Sequence, residues 1–243
     1  MTQVLQGREI VQDVQAPGGH GSSLAGVAAV LIGLLNITLM IYVVVTPSEQ
    51  RYDVGEGLRY FAENPLPLTI TWLVFITMTF LQYAVIPVVA DWVQDVDRDW
   101  TRFASVLGIV GYTIMGASFL TLLGRVPEMA QSYVTGDAMT RAALVATGLP
   151  EIDPHGFLMF GGPALWLIIV NTLALRGKRL HPLHAYAGIA LGLGHIGTVV
   201  ADVLAFEPLN LVAAGAGALF YPIYFIWFGY RLLRTPRREV SAR

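Results

Sequence analysis

The sequence predicts an all-α, polytopic membrane bundle of six transmembrane helices, and three observations carry that prediction. Of 243 residues, 55% are hydrophobic and only 13% charged, with a mean hydropathy of +0.59, far from the balance of a water-soluble domain. Six apolar runs, at 24–45, 68–90, 103–123, 156–175, 183–205 and 209–232, match the roughly 20 residues a helix needs to cross a hydrocarbon core. None of these runs alternates apolar with polar residues as barrel strands must, which leaves helices to satisfy the backbone in lipid.

In chain order, residues 1–23 form a polar tail with no A-x-A-like cleavage site before the first span, so that span is expected to be retained as a helix. It carries Asn36 and Thr38. NPLP at 64–67 starts the second span with prolines, where missing N–H donors cost little, and Pro87 is expected to bend its far end. Several threonines and Gln82 lie within that span. The connection DWVQDVDRDWTR at 91–102 is acidic, the expectation being a solvated turn, with docking of a basic partner or a cation as the alternative. Tyr112 sits in the third span. A long outer loop runs from Gly124 to Pro154, in which DAMTRAALVA reads as a short interfacial or capping helix with Asp137 as its N-cap.

The fourth span starts at DPHG, with His155, and contains Asn171. RGKR at 176–179 and HPLH at 181–184 lead into the fifth, where the histidines are expected to cap a helix or meet lipid headgroups rather than bind metal. The sixth span ends in the basic tail 233–243. Trp72, Trp92, Trp100 and Trp227 fall toward helix ends, as an aromatic belt requires. With both termini in the cytoplasm, 11 Lys and Arg lie inside and 4 outside, which sets the orientation. The spans thus form one transmembrane domain, 24–232, in the inner or plasma membrane.

The fifth span is the most informative. In GIALGLGHIGTVVAD, residues Gly188, Gly192, His195, Val199 and Asp202 fall on one helical stripe, with spacings of 4, 3, 4 and 3. Gly188 and Gly192 form a close-packing face of the kind that helices use in lipid. His195 lies deep and admits three readings: a neutral imidazole bonded to the next helix, a ligand to a metal, haem or chlorin, or a proton carrier acting with Asp202. The pair cannot bond directly, because seven residues of helix separate them by about 10 Å. Asp202 belongs near the outer interface, and His155 with His195 is a poor match for a bis-histidine haem. The other embedded polar residues, Asn171 among them, serve first as interhelical hydrogen bonds.

The absence of cysteine excludes disulfides, thiolate metal sites and thiol catalysis. The sole lysine, Lys178, lies in a loop, so a retinal Schiff base is excluded too, and no phosphate-binding glycine loop or H-E-x-x-H is present. The stretches YVTGDAMTRAALVA, DPHGFLMFGGPALWLIIVNTLALRGKRLHPLHAYAGIALGLGHIG and LFYPIYFIWFGYRLLR resemble a loose group of bacterial six-helix membrane proteins with a domain of unknown function. The resemblance covers roughly residues 60–235, implies the six-helix architecture, and supplies no catalytic residue.

The first functional expectation is a non-enzymatic accessory or structural subunit of a larger membrane assembly, motivated by the face at Gly188 and Gly192. The second is a protein binding a hydrophobic ligand, pigment or haem through His195. The third is a small transporter or proton-linked protein using His195 and Asp202, with His155 and Asn171 nearby. Haem, chlorin or carotenoid are the candidate cofactors beside lipid. The expected partners are the bilayer and a membrane protein or second copy, with no nucleic acid.

Overall fold

The computed structural model describes residues 20–45 and 53–234. Most of both predicted tails therefore lies outside the described residues. Among those described, every regular element is a helix, and five helices are long and apolar enough to cross a membrane.

Helix α1, His20–Val45, is apolar all round. Its small residues Ala25, Ala28 and Ala29 are buried while Val27, Leu31 and Leu34 are exposed, the division expected of a helix with protein on one face and lipid on the other. Helix α2, Val54–Glu63, begins where the Asp53 carboxylate accepts the Glu56 N–H at 2.8 Å. Helix α3, Pro65–Val93, opens on its predicted prolines and contains Pro87. Helix α4, Arg98–Thr135, is capped by Asp97, which accepts the Trp100 N–H at 3.1 Å. Helix α5, Ala138–Thr147, has Asp137 as its N-cap, as its sequence implies. Helices α6, Gly161–Arg176, α7, Pro182–Val203, and α8, Glu207–Arg234, complete the chain.

Six of these close into a ring in chain order: α1 packs on α3, α3 on α4, α4 on α6, α6 on α7, α7 on α8, and α8 back on α1. Small residues mark the seams. A Cβ added to Gly229 would lie 2.5 Å from the Gly26 carbonyl, and one on Gly162 would lie 2.7 Å from the Leu107 carbonyl. A Cβ on Gly192 would lie 2.7 Å from Ile168 Cγ1. Lipid tails give apolar helices no hydrophobic reason to associate, so close backbone approach and dispersion must hold such seams together. Large side chains fill the ring, with Ile86, Tyr112, Trp166, Leu167, Leu191, Tyr224 and Phe225 all buried.

Two span boundaries need correction. The third apolar run does not end at 123: α4 continues through Pro127 to Thr135, about 57 Å in all, so it stands well clear of a hydrocarbon core of about 30 Å. Beyond residue 124 this helix is two-sided. Val126 and Ala130 are buried against Leu58, Phe61 and Trp72, while Arg125, Glu128 and Gln131 face outward. Helices α2 and α5 pack on this projecting part and form a cap with its own small core.

The fourth run is shorter than expected. Its helix starts at Gly161 rather than 156, and its 16 residues reach about 24 Å. Residues 154–160 instead make a folded turn below the cap. There the Asp153 carboxylate accepts N–H groups of Phe157, Leu158 and Met159 at 3.1, 2.7 and 2.8 Å, and Gly156 has φ of +68°.

The opposite end of the ring is basic and tied together. Asp95 of the acidic connection pairs with Arg179 of the RGKR turn, so that charge run is anchored within the chain. The first turns of α1 meet the last turn of α8 at the same end, since a Cβ on Gly26 would lie 2.9 Å from Leu233 Cγ. The aromatic belt is only partly as expected: Trp100 is exposed, but Trp72 and Trp92 are 5% and 8% exposed and pack inward against Phe61 and Phe228.

Candidate functional site

The site has two parts, a vestibule under the cap and a column of buried polar groups below it. The larger vestibule cavity has a volume of about 880 Å3 and lies between α2, the start of α3, the projecting part of α4 and the loop after α5. Three carboxylates line it, Asp53, Glu151 and Asp202, and its apolar wall includes Leu58, Trp72, Leu122 and Val126. Among the described residues, no lysine or arginine lines it. A second cavity of about 150 Å3 shares Leu122, Glu151, Pro154 and Asp202 with the first and reaches down to Ser118, Phe160 and Thr198.

Each carboxylate is held differently. Asp53 is fixed as the N-cap of α2. Asp202, on the last turn of α7, accepts a hydrogen bond from His155, whose Nδ1 lies 2.9 Å from Asp202 Oδ2. Both side chains of that pair are about half exposed, at 56% and 50%. Glu151 forms no ion pair among the described residues. Its carboxyl is held above the usual glutamate range, first by partial burial and then by the negative charge of Asp202, with His155 opposing weakly. Glu151 is therefore an acid without an ion-pair partner among the described residues, at the junction of the two cavities.

Below the vestibule, His195 is half-buried on α7, with the Phe160 ring 5.9 Å from its own and the Tyr221 ring 6.0 Å away. What stands opposite this histidine is thus a pair of aromatic rings. Its ring makes no hydrogen bond to another described residue, and Asp202 is engaged by His155 instead. The described cavities that reach this depth are lined by Phe160 rather than by His195.

On α8, Tyr221 and Tyr224 organise the column. Gln82 of α3 donates from Nε2 to the Tyr221 hydroxyl at 3.0 Å, and the Tyr112 hydroxyl of α4 lies 3.4 Å from the same oxygen. One turn on, Asn171 of α6 donates from Nδ2 to the Tyr224 hydroxyl at 3.1 Å and to the Leu167 carbonyl at 2.8 Å. Gly188 gives this pair its room, since a Cβ there would overlap Asn171 Nδ2 and lie 2.6 Å from Tyr224 Cε2. His181 caps α7, whereas His184, expected near headgroups, is fully buried and stacked on Trp227 at 4.5 Å.

The column makes a stability prediction. Tyr221→Phe removes the acceptor of a buried amide, and Gln82→Leu removes its donor, so each is expected to destabilise the bundle by about 1 kcal/mol. The double variant should cost less than the two singles combined, because it strands neither partner. Denaturant unfolding of the four proteins in mixed micelles measures this coupling.

The structure gathers some of the sequence candidates and separates others. His155 and Asp202 meet, Gly188 meets Asn171, and His195 stands apart from both pairs. Glu151, Asp53, Tyr221 and Tyr224 were not anticipated. No protein-family model matches this chain, and comparison with curated proteins and with solved structures finds no match.

Proposed function

We propose that the protein is a six-pass membrane protein, both termini in the cytoplasm, whose outer vestibule binds a small organic cation with an apolar body. The observation that carries this reading is Glu151: a partly desolvated acid beside a second carboxylate, with no ion-pair partner among the described residues, at the throat of a cavity of about 880 Å3. That volume lies in the range of small-molecule sites. A bound cation would offset the repulsion between Glu151 and Asp202, and the wall containing Trp72 and Leu58 would take up apolar surface.

The orientation is supported by the excess of Lys and Arg at the end opposite the cap. The six-pass count treats α6 as a short crossing whose remaining depth is filled by the turn at 154–160. The glycine face at Gly188 and Gly192, one motive for the subunit reading, is occupied within the chain by α6 and α8.

Phenethylammonium, 2-phenylethanol and phenylacetate share a body and differ in charge, which makes them a direct test on the purified full chain. Only the ammonium ion should raise the unfolding temperature, since a ligand at 100 times its Kd stabilises by about 2.7 kcal/mol. Equal shifts for the cation and the alcohol would refute the charge recognition.

The pH dependence has a definite sign. Binding needs Glu151 ionised, so affinity should fall as pH drops from neutrality through the raised Glu151 range, and Glu151→Gln should flatten that profile. In the unliganded protein the folded state holds this proton more tightly than the unfolded chain. Its stability should accordingly decline as pH rises from the ordinary glutamate value through the raised one, a slope that Glu151→Gln removes.

A further inference from the structure

A groove on the lipid-facing flank of α1 and α8, far from the vestibule, points to a second ligand. Its volume is about 540 Å3. Ile37 and Met40 of α1 line one side, with Leu219, Ile223 and Ile226 of α8 on the other. The two helices are in close contact at Gly33, where a Cβ would lie 3.0 Å from the Pro222 carbonyl. Pro222 also deprives the Ala218 carbonyl of its ordinary helical donor, and Ala218 itself lines the groove.

The groove has a direction. From Ala218 to Tyr230 it follows α8 for about 18 Å, close to the half-thickness of about 15 Å that one leaflet of acyl chain occupies. Its walls are hydrocarbon until the basic end, where Trp227 and Tyr230 supply amphipathic rings of the kind enriched at the headgroup level. There the Arg234 guanidinium lies 4.4 Å from the centre of the Tyr230 ring, which holds a permanent cation at the mouth of the groove. Further arginines follow at 237 and 238 in the sequence.

We infer that this groove binds one anionic phospholipid, with an acyl chain against Ile223 and Ile226 and its phosphate at Arg234. The apolar length selects a chain rather than a soluble ligand, and the fixed cation selects an anionic headgroup over a zwitterionic one. A second copy of this chain would cover the same apolar wall but would bring its own Arg234 cation toward this one if packed two-fold across the groove.

Trp227 lies in the groove and reports on its occupant by fluorescence. The full chain is reconstituted in vesicles with increasing fractions of brominated phosphatidylglycerol or brominated phosphatidylcholine, bromine being a contact quencher. Brominated phosphatidylglycerol is expected to quench a component of the emission at a several-fold lower mole fraction than brominated phosphatidylcholine. Trp227→Phe should remove that component. Arg234→Gln, at an exposed helix end where folding is not at stake, should abolish the preference and leave quenching by phosphatidylcholine unchanged. Equal quenching by the two lipids in the unaltered protein overturns the inference. So does a phosphatidylglycerol preference that survives Arg234→Gln, or a dimer whose Trp227 neither lipid reaches.

Discussion

Gly188→Leu is expected to prevent the bundle from assembling. A Cβ at this position already overlaps the Asn171 amide and crowds Tyr224, and both residues are themselves locked by their mutual hydrogen bond and by burial. Three helices, α6, α7 and α8, would have to move apart together to admit a leucine. Overpacking of this kind costs about 3 kcal/mol at a well-packed position, and the rigidity of these neighbours puts the effect at or above that level. Fluorescence-detected size exclusion and far-UV circular dichroism should show aggregated or poorly folded material. Gly217→Ala provides the contrast, because a Cβ there meets nothing within 4 Å. It should be tolerated, or stabilise α8 by about 0.5–1 kcal/mol through helix propensity.

Glu151→Lys is expected to abolish cation binding while leaving the fold intact. The residue lies in a loop and makes no ion pair among the described residues, so its replacement strands no partner. At an effective dielectric constant of 20, a unit charge pair about 5 Å apart is worth about 3 kcal/mol. Neutralising the charge in Glu151→Gln should therefore lower affinity for phenethylammonium by about 100-fold, and reversing it in Glu151→Lys should lower it further, beyond detection. Equilibrium binding on the two variants, with an unfolding temperature without ligand no lower than that of the unaltered protein, would establish that the loss is electrostatic.

The helical membrane character was legible because lipid imposes one strong rule, that a crossing segment satisfy its own backbone and be apolar along its length. The caps at Asp97, Asp137 and His181 follow equally local rules; Asp137 was identified in advance, and capping was one of the two readings of the histidines at 181–184. The lengths of α4 and α6 were harder. Gly124 and Pro127 read as helix breakers, yet the packing of Val126 and Ala130 on α2 carries the helix through them. In the fourth run, GFLMF is as apolar as the helix it precedes, and only the three N–H groups gathered by Asp153 reveal that the chain turns there instead.

The site was less legible than the fold for a related reason. The stripe from Gly188 to Asp202 lies on one helix and shows a period, so its packing face could be read directly. Asp53 and Glu151 come from loops distant in the chain, and no spacing rule links them. Tyr221 and Tyr224 were hidden in an aromatic run suited equally well to a lipid-facing helix. Only the closing of the ring, which sets α8 against α3, α4 and α6, turns those hydroxyls inward.

The vestibule is the centre of this account, and calorimetric titration of phenethylammonium into the purified full chain at neutral pH tests it most directly. Saturable binding at one site is expected, lost when Asp53→Asn, Glu151→Gln and Asp202→Asn are combined, and not reproduced by 2-phenylethanol. A titration without saturable heat, or one that the triple variant leaves unchanged, would contradict it.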